Sequence, residues 1–181
     1  MNWDYIAGYG DGEACLILAI HRDKREKSIR GSQVDGWGIQ PNWTITSYDF
    51  STQEKIAKFL KRGGYDVRTP CLEQTQLRQG HTKIARRLSM GGWGQLVRFA
   101  QELIPRTEVK RKQFELLLEL RVIIDSKLKT KKKRSSSGAW TKELFIKAME
   151  KVDEINSLKS RQRGKYNAQF FKELWKEELG L

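Results

Sequence analysis

Apolar and polar residues in the first fifty positions follow first a helical and then a strand period. Residues 2–12 predict a helix, and an apolar, β-prone segment from Ala14 to about Arg22 predicts a strand. From Trp37 to Ser47 apolar residues recur at alternate positions, as on a strand with one buried face. Pro41 falls on the apolar side and lacks a backbone donor, so we expect a bulge or an edge there.

The pattern continues as one helix, two strands and another helix. The helix after the second strand is predicted to begin near Ser51-Thr52, with Glu54 completing a capping box, and to end at Gly63-Gly64. Two strands around a polar turn near Gln79-Gly80 follow, and then a helix over residues 93–103. This order predicts an α+β fold, an αββαββα unit with an antiparallel sheet. Helices would cover one face of the sheet and leave a polar, concave face open.

The C-terminal third predicts helices around a basic segment. A long apolar helix is predicted over about 108–127 and a second over about 140–158. The last predicted helix carries apolar residues that we expect in the core: Phe170, Phe171, Leu174 and Trp175. The basic loop 127–138 is typical either of a solvated loop or of a segment that contacts phosphates. We predict one domain over 1–181, with the αββαββα unit in 1–106 and the C-terminal helices in 107–181.

The charge balance indicates the kind of partner. With 35 Lys and Arg against 22 Asp and Glu, the formal net charge is +13, which favours nucleic acid as the partner. No apolar run is long enough for a bilayer, and the first residues do not resemble a secretory signal, so we expect no membrane partner. Cys15 and Cys71 lack metal-ligand spacing, which favours reduced thiols in an intracellular, reducing compartment.

One face of the second predicted strand carries residues that can read DNA bases. Gln40, Asn42, Thr44 and Thr46 lie opposite the apolar positions. Their amides and hydroxyls are groups that hydrogen-bond base edges, and a major groove is wide enough for a β-ribbon. A face that is merely solvated has the same pattern, and the strand alone leaves both interpretations open.

The segment Ile6-Ala7-Gly8-Tyr9-Gly10-Asp11-Gly12-Glu13-Ala14 ends the first predicted helix with two carboxylates. Its alanine and glycines leave little side-chain bulk, so another helix can approach closely. If that helix belongs to a second copy of the chain, two Glu13 carboxylates meet near the symmetry axis. Their repulsion favours a shared divalent cation. Acids beside glycines also cap ordinary turns, and these residues alone do not exclude that role.

IAGYGDGEA resembles the LAGLIDADG motif of homing endonucleases, although Gly10 replaces an apolar residue of the motif and Ala14 its last glycine. Three further stretches are similar to that family and occur in the right order. TITSYD resembles the end of its second strand, VKRKQFELLLEL the helix after its sheet, and VDEINSLKSRQRGK its C-terminal helix and basic turn. The similarity spans nearly the whole chain. A single motif copy is typical of the homodimeric branch of the family.

The resemblance implies roles for individual residues. Glu13 would bind the metal with the backbone carbonyl of Gly12, and the catalytic residues would be Glu13, Lys110 near the scissile phosphate and Ser47 beside the nucleophilic water. The motif helix and dimer interface would contain Ala7, Gly8, Gly10 and Asp11, of which Asp11 mainly ends and orients the helix. The residues expected to bind DNA are His21, Gln40, Asn42, Thr44, Thr46, Arg68, Lys83, Arg87, Arg111, Lys112, Lys159, Arg161, Arg163 and Lys165.

The resemblance also implies a site-specific DNA endonuclease of the intron-encoded homing type. It would act as a homodimer on a long, pseudo-palindromic double-stranded target and cut both strands across the minor groove, leaving short 3′ overhangs. Mg²⁺ would be the cofactor, with Mn²⁺ or Ca²⁺ able to substitute in binding. Two alternatives share the fold: a maturase that binds intron RNA, and a DNA-binding protein that does not cleave. Glu13 and Lys110 favour the nuclease, because binding alone does not require them.

Overall fold

The computed structural model describes residues 1–22, 33–72, 86–127, 139–159 and 165–180, with only the backbone of 69–72. The first seven elements are α1 (Trp3–Glu13), β1 (Ala14–Arg22), β2 (Trp37–Ser47), α2 (Phe50–Arg62), β3 (Val67–Leu72), β4 (Arg86–Gly91) and α3 (Trp93–Leu103). The C-terminal elements are α4 (Arg111–Asp125), α5 (Lys142–Ser157), α6 (Ala168–Leu174) and α7 (Lys176–Leu179). The predicted αββαββα order and the α+β class are confirmed. The predicted turn at Gln79-Gly80 lies outside the described residues.

The four strands form one antiparallel sheet in the order β1-β2-β4-β3. The register of β2 with β4 runs from the pair Asn42–Gly91 to the pair Ser47–Arg86. β2 is therefore an interior strand, and the prediction of an edge at Pro41 is wrong. Pro41 is tolerated because the β2–β4 ladder begins one residue later, so its missing donor is not needed there.

The chain forms two compact units. The first contains Met1–Ala19 and Gln40–Phe114, and the second contains Ile20–Ile39 and Glu115–Leu181. This grouping differs from the predicted boundary at residue 106, since part of the first two strands belongs with the C-terminal helices.

The core of the first unit lies between the apolar sheet face and the inner sides of α1, α2 and α3. Trp43 is fully buried, and its ring lies 4.8 Å from that of Phe99 on α3. Leu88 and Met90 of β4 are also fully buried, whereas Arg87 before them is exposed and Ser89 between them is only partly buried. The predicted alternation on β2 and β4 is confirmed at these positions, and it leaves the other sheet face polar.

Two predicted helix N-termini differ from the structure in detail, that of α2 in its capping residue and that of α4 in its first residue. α2 begins at Phe50, because the Asp49 carboxylate caps it by accepting a hydrogen bond from Thr52 N at 3.0 Å. Glu54, the expected capping-box residue, pairs instead with Arg86 at 3.1 Å. This contact explains a charged residue on the apolar side of β4, since the Arg86 guanidinium also lies 4.1 Å above the Phe50 ring.

The second predicted start concerns α4, which begins at Arg111 and not at Glu108. The backbone N–H groups of residues 108–110 are hydrogen-bonded to a side chain of α1, as described below. These residues therefore form a separate turn ahead of the helix.

The second unit has an aromatic core. The Phe145 ring lies 5.1 Å from Trp140, 4.9 Å from Phe171 and 5.8 Å from Trp175. The stripe predicted for the last helix is therefore only half buried, because Phe170 and Leu174 are 38% and 50% exposed. Within the described ranges, no helix has the length and apolar character that a membrane crossing requires.

Candidate active site

Asp11, near the end of α1, is surrounded by hydrogen-bond donors. Its carboxylate accepts a hydrogen bond from the Thr107 hydroxyl. It also accepts bonds from the backbone N–H groups of Glu108 at 2.9 Å, Val109 at 3.3 Å and Lys110 at 3.1 Å. Burial raises the pKa of Asp11, but these four donors outweigh it, and the pKa lies below its ordinary value. Asp11 is thus an ionised clamp on the turn that precedes α4.

The clamp places Lys110 beside the end of α1. The Lys110 side chain is largely buried, with 9% of the residue exposed, and its ammonium donates to the Asp11 backbone carbonyl. Desolvation lowers the pKa of Lys110, while the charges of Asp11 and Glu13 oppose the shift. The ammonium of Lys110 thus lies against the backbone of Asp11, two residues before Glu13.

The surroundings of Glu13 are the opposite of those of Asp11. Its side chain is exposed and makes no hydrogen bond or ion pair in the described part of the chain. Gly12 is exposed as well, and a Cβ atom built on it would meet no atom within 4 Å. The carboxylate of Glu13 and the neighbouring backbone are thus open to a ligand.

A single chain does not assemble a complete set of metal ligands in its described ranges. No group of three or more His, Cys, Asp and Glu side chains is found there that could hold an ion. Oxygen donors such as the Glu13 carboxylate and the Gly12 carbonyl are the kind that Mg²⁺ prefers, and an octahedral ion takes further ligands from water or substrate. The donor chemistry fits Mg²⁺, with part of the ligand set supplied from elsewhere.

Ser47, at the end of β2, is tied to α1. Its hydroxyl oxygen accepts a hydrogen bond from the Tyr9 hydroxyl at 3.1 Å and another from Asp49 N at 3.1 Å. The side chain is half-buried, so part of it faces solvent.

The predicted small-residue face of α1 is wrong for two of its members. Ala7 is only 1% exposed, and Gly10 is buried, with Trp43 Cζ2 3.7 Å from the place of a Cβ atom. Position 10 therefore faces the interior of one protomer, where a Cβ atom would make ordinary van der Waals contact with Trp43. The face of α1 that a second helix can reach contains Gly8 and Gly12, both open, together with Tyr5, which is 46% exposed.

The polar sheet face brings the predicted base-reading residues into rows. Thr44 of β2 is in register with Ser89 of β4, which is in register with Arg68 of β3. Thr46 is likewise in register with Arg87. Cross-strand partners share a face, so these side chains lie side by side.

Ser89 was not among the predicted DNA contacts, although its alternation with Leu88 and Met90 places it on the polar face. Thr44 is less available than predicted, since only 8% of it is exposed and its hydroxyl donates to the Cys15 carbonyl at 3.5 Å. Gln40 and Thr46 are exposed.

Two further predicted DNA contacts lie against glycines. The Asn42 amide covers Gly91 of the neighbouring strand, where a Cβ atom would overlap its oxygen. The exposed His21 ring covers Gly38, where a Cβ atom would approach Cε1 to 2.9 Å. Each glycine thus makes room for a polar side chain on the adjacent strand.

The remaining predicted contacts are distributed along the helices. Arg111 is exposed and donates through Nε to the Thr107 carbonyl at 3.2 Å, and Lys112 beside it is exposed. Lys159 donates to Asn156 Oδ1 at 2.6 Å, and Lys165 is exposed with its ammonium 5.3 Å above the Tyr166 ring. Lys83, Arg161, Arg163 and all but the first residue of the basic loop lie outside the described residues.

Comparisons with solved structures identify the fold. The homing endonuclease I-CvuI in complex with the I-CreI target has a TM-score of 0.66 and 18% identity, over 99% of this chain and 94% of its own. The archaeal intron-encoded homing endonuclease I-Vdi141I complexed with DNA has a TM-score of 0.67 and 14% identity, over 98% and 97%. The LAGLIDADG homing endonuclease I-SmaMI, bound to cleaved DNA, is matched over 48% of its length with a TM-score of 0.57 and 11% identity. No protein-family model and no curated protein matches the chain.

The chain therefore has the LAGLIDADG homing endonuclease fold, and the predicted resemblance is confirmed at the level of the fold. The neighbour I-CvuI was crystallised on DNA in the presence of Mg and, with its own target, in the presence of Ca. This chain matches nearly the full length of the I-CvuI and I-Vdi141I chains but only about half of the I-SmaMI chain.

Proposed function

We propose that the chain is a site-specific DNA endonuclease that works as a homodimer with a divalent metal. The observation that carries this proposal is the exposed carboxylate of Glu13, which has no partner among the described residues and lies two residues after the Asp11 carbonyl that binds the buried ammonium of Lys110. That arrangement occurs on a fold whose neighbours were crystallised with DNA.

The two sides of the dimer would complete the metal site. Gly8 and Gly12 leave one side of α1 open, so a second α1 can approach there. A two-fold axis along this face brings the partner's Glu13 close to the first, and two carboxylates at short range require a cation between or beside them. Mg²⁺ held by Glu13 and the Gly12 carbonyl would supply the charge that activates water and stabilises the leaving oxygen.

The residues around Glu13 would support hydrolysis of the phosphodiester. Lys110 would place positive charge beside the scissile phosphate, where negative charge grows in the transition state. The Asp11 clamp would hold Lys110 in place, since it binds three consecutive backbone N–H groups of the turn that contains Lys110. Ser47 would bind an oxygen atom of the reacting group. With one such set per protomer, both strands would be cut across the minor groove, leaving short 3′ overhangs.

The polar sheet face would lie along the major groove. Apart from the buried Thr44, the members of the rows Thr44–Ser89–Arg68 and Thr46–Arg87 offer hydroxyl and guanidinium groups for base edges and phosphates. A net charge of +13 per chain would favour binding to any duplex, and the rows would select among sequences. A homodimer would read a pseudo-palindromic target.

A selection from randomised duplex DNA tests the proposal. The protein is first used in Ca²⁺ to enrich bound duplexes, and the enriched pool is then incubated with Mg²⁺ or with EDTA. We expect a two-fold related consensus and cleavage of both strands with Mg²⁺ only. Enrichment without cleavage would identify a non-cleaving DNA-binding protein. Failure to enrich any duplex, with tight binding to structured RNA, would favour the maturase and reject the nuclease.

A further inference from the structure

The hydroxyl of Ser47 has a defined hydrogen-bond polarity. A serine hydroxyl has two acceptor lone pairs and one donor hydrogen. In Ser47 both lone pairs are used, one by the Tyr9 hydroxyl and one by Asp49 N, each at 3.1 Å. The donor hydrogen remains, and no described residue accepts it. As long as both of these bonds are made, Ser47 can bind a group outside the protein only as a donor.

Tyr9 is held in the position that this geometry requires. It lies four residues before Glu13 on α1, so both side chains project from the same side of the helix. Its ring stacks on Tyr5, with the centroids 6.2 Å apart and the planes 12° from parallel. The half-buried phenol reaches from this stack to the end of β2, and its hydroxyl ends at Ser47.

We propose that Tyr9 is a positioning residue that makes Ser47 a hydrogen-bond donor to the reacting group. The Ser47 hydroxyl then binds an oxygen lone pair, either on the scissile phosphate or on the water that attacks it. It orients that oxygen and takes no proton from it. This inference rests on the proposed nuclease and assigns Tyr9 a role through its hydrogen bond to Ser47.

Four variants test the inference on the full-length protein with the selected duplex. Tyr9→Phe removes the hydroxyl and keeps the ring stack, while Ser47→Ala removes the acceptor. The double variant tests whether they act together. Tyr65→Phe is the matched control, because it keeps the ring that packs on Phe99 and removes a hydroxyl that has no partner among the described residues. The readouts are the single-turnover rate on bound DNA in Mg²⁺, the Kd in Ca²⁺ and the midpoint of thermal unfolding.

We expect Tyr9→Phe to slow cleavage about two- to tenfold, the range for loss of one neutral hydrogen bond. The double variant should be no slower than Ser47→Ala, and Tyr65→Phe should match the wild type. Kd and the unfolding midpoint should not change, which separates positioning from a structural role. A wild-type rate in Tyr9→Phe, or multiplied losses in the double variant, would overturn the inference while the nuclease stands. A wild-type protein that cuts no DNA would overturn the nuclease, and this inference with it.

Discussion

The two carboxylates at the end of α1 are two residues apart and have opposite surroundings. The Asp11 side is closed, because one hydroxyl and three backbone N–H groups occupy its carboxylate. The Glu13 side is open, with an exposed side chain and bare glycine backbone beside it. A carboxylate whose lone pairs are filled by protein donors stabilises structure, whereas one without donors is available to a cation. The sequence DGE thus places an acid that holds the structure and an acid that is open to a ligand two residues apart at one helix end.

The largest effect is expected on the open side. Glu13→Gln should reduce cleavage by at least about 10³-fold, because it removes the charge that binds the metal. DNA binding should stay within about tenfold, because no phosphate contact is lost. Glu108→Gln, an exposed acid whose backbone alone contacts Asp11, is the matched control and should cut normally. Comparable cleavage by Glu13→Gln and wild type would remove Glu13 from the metal site.

Lys110 lies between the two sides and should give the next largest effect. Lys110→Met should slow cleavage about 10²-fold, because a positive charge near the scissile phosphate is lost. Binding in Ca²⁺ should be nearly normal. Lys112→Met serves for comparison, since this exposed neighbour should weaken binding without slowing the cleavage of bound DNA. If Lys110→Met lost binding as strongly as cleavage, its role would be anchoring of the DNA backbone.

Replacing Asp11, on the closed side, should lower the free energy of unfolding. Asp11→Asn should lower the free energy of unfolding by roughly 1–3 kcal/mol at pH 7, because backbone donors lose a charged acceptor. The folded pKa of Asp11 is lowered, so its contribution is complete above the unfolded pKa of about 3.9 and is lost as the pH falls through the folded pKa. The difference between wild type and variant in urea unfolding should therefore shrink below about pH 4. Asp66→Asn, at an exposed acid, should show neither effect, and an equal loss there would refute the clamp.

The open face of α1 should give a concentration-dependent effect. Gly8→Leu adds a side chain where the protomer has free space, so the fold of one chain should be unaffected. Packing against a second helix should cost roughly 1–3 kcal/mol and weaken the dimer accordingly. Sedimentation velocity over a concentration series measures this, with Gly94→Leu on the equally open face of α3 as the control. A wild-type monomer at micromolar concentration with DNA bound would contradict the dimer.

Most of the architecture could be predicted, because the periodicity of this chain is regular. β1 and β2 have the predicted bounds, and α1 and α3 differ from prediction by a residue at most. The start of α4 at Arg111 could not be predicted, because it depends on the distant Asp11. The cap of α2 is local, and its choice between Asp49 and Ser51-Thr52 is not decided by the sequence, since all three residue types are good N-caps.

The site was predicted unevenly for the same reason. Glu13 and Lys110 could be singled out by resemblance, and the structure places the Lys110 ammonium on the Asp11 carbonyl, two residues before Glu13. Thr107 and Tyr9 could not, since a hydroxyl in a turn or on a helix has no sequence signature for a partner 38 or 96 residues away. The burial of Ala7 and Gly10 was missed because small residues pack equally well inside a protomer or between two. Only the position of Trp43 distinguishes these cases.

Anomalous scattering from Mn²⁺ in crystals of the DNA complex tests the contrast between Asp11 and Glu13 most directly. We predict an anomalous Mn²⁺ peak within about 2–2.5 Å of the Glu13 carboxylate, the range for divalent ions bound to oxygen. The peak should lie near the two-fold axis, with the partner's Glu13 on the other side and Asp11 still bound to its four protein donors. A peak on Asp11, or a cleaved duplex whose metal is not bound by Glu13, would contradict it.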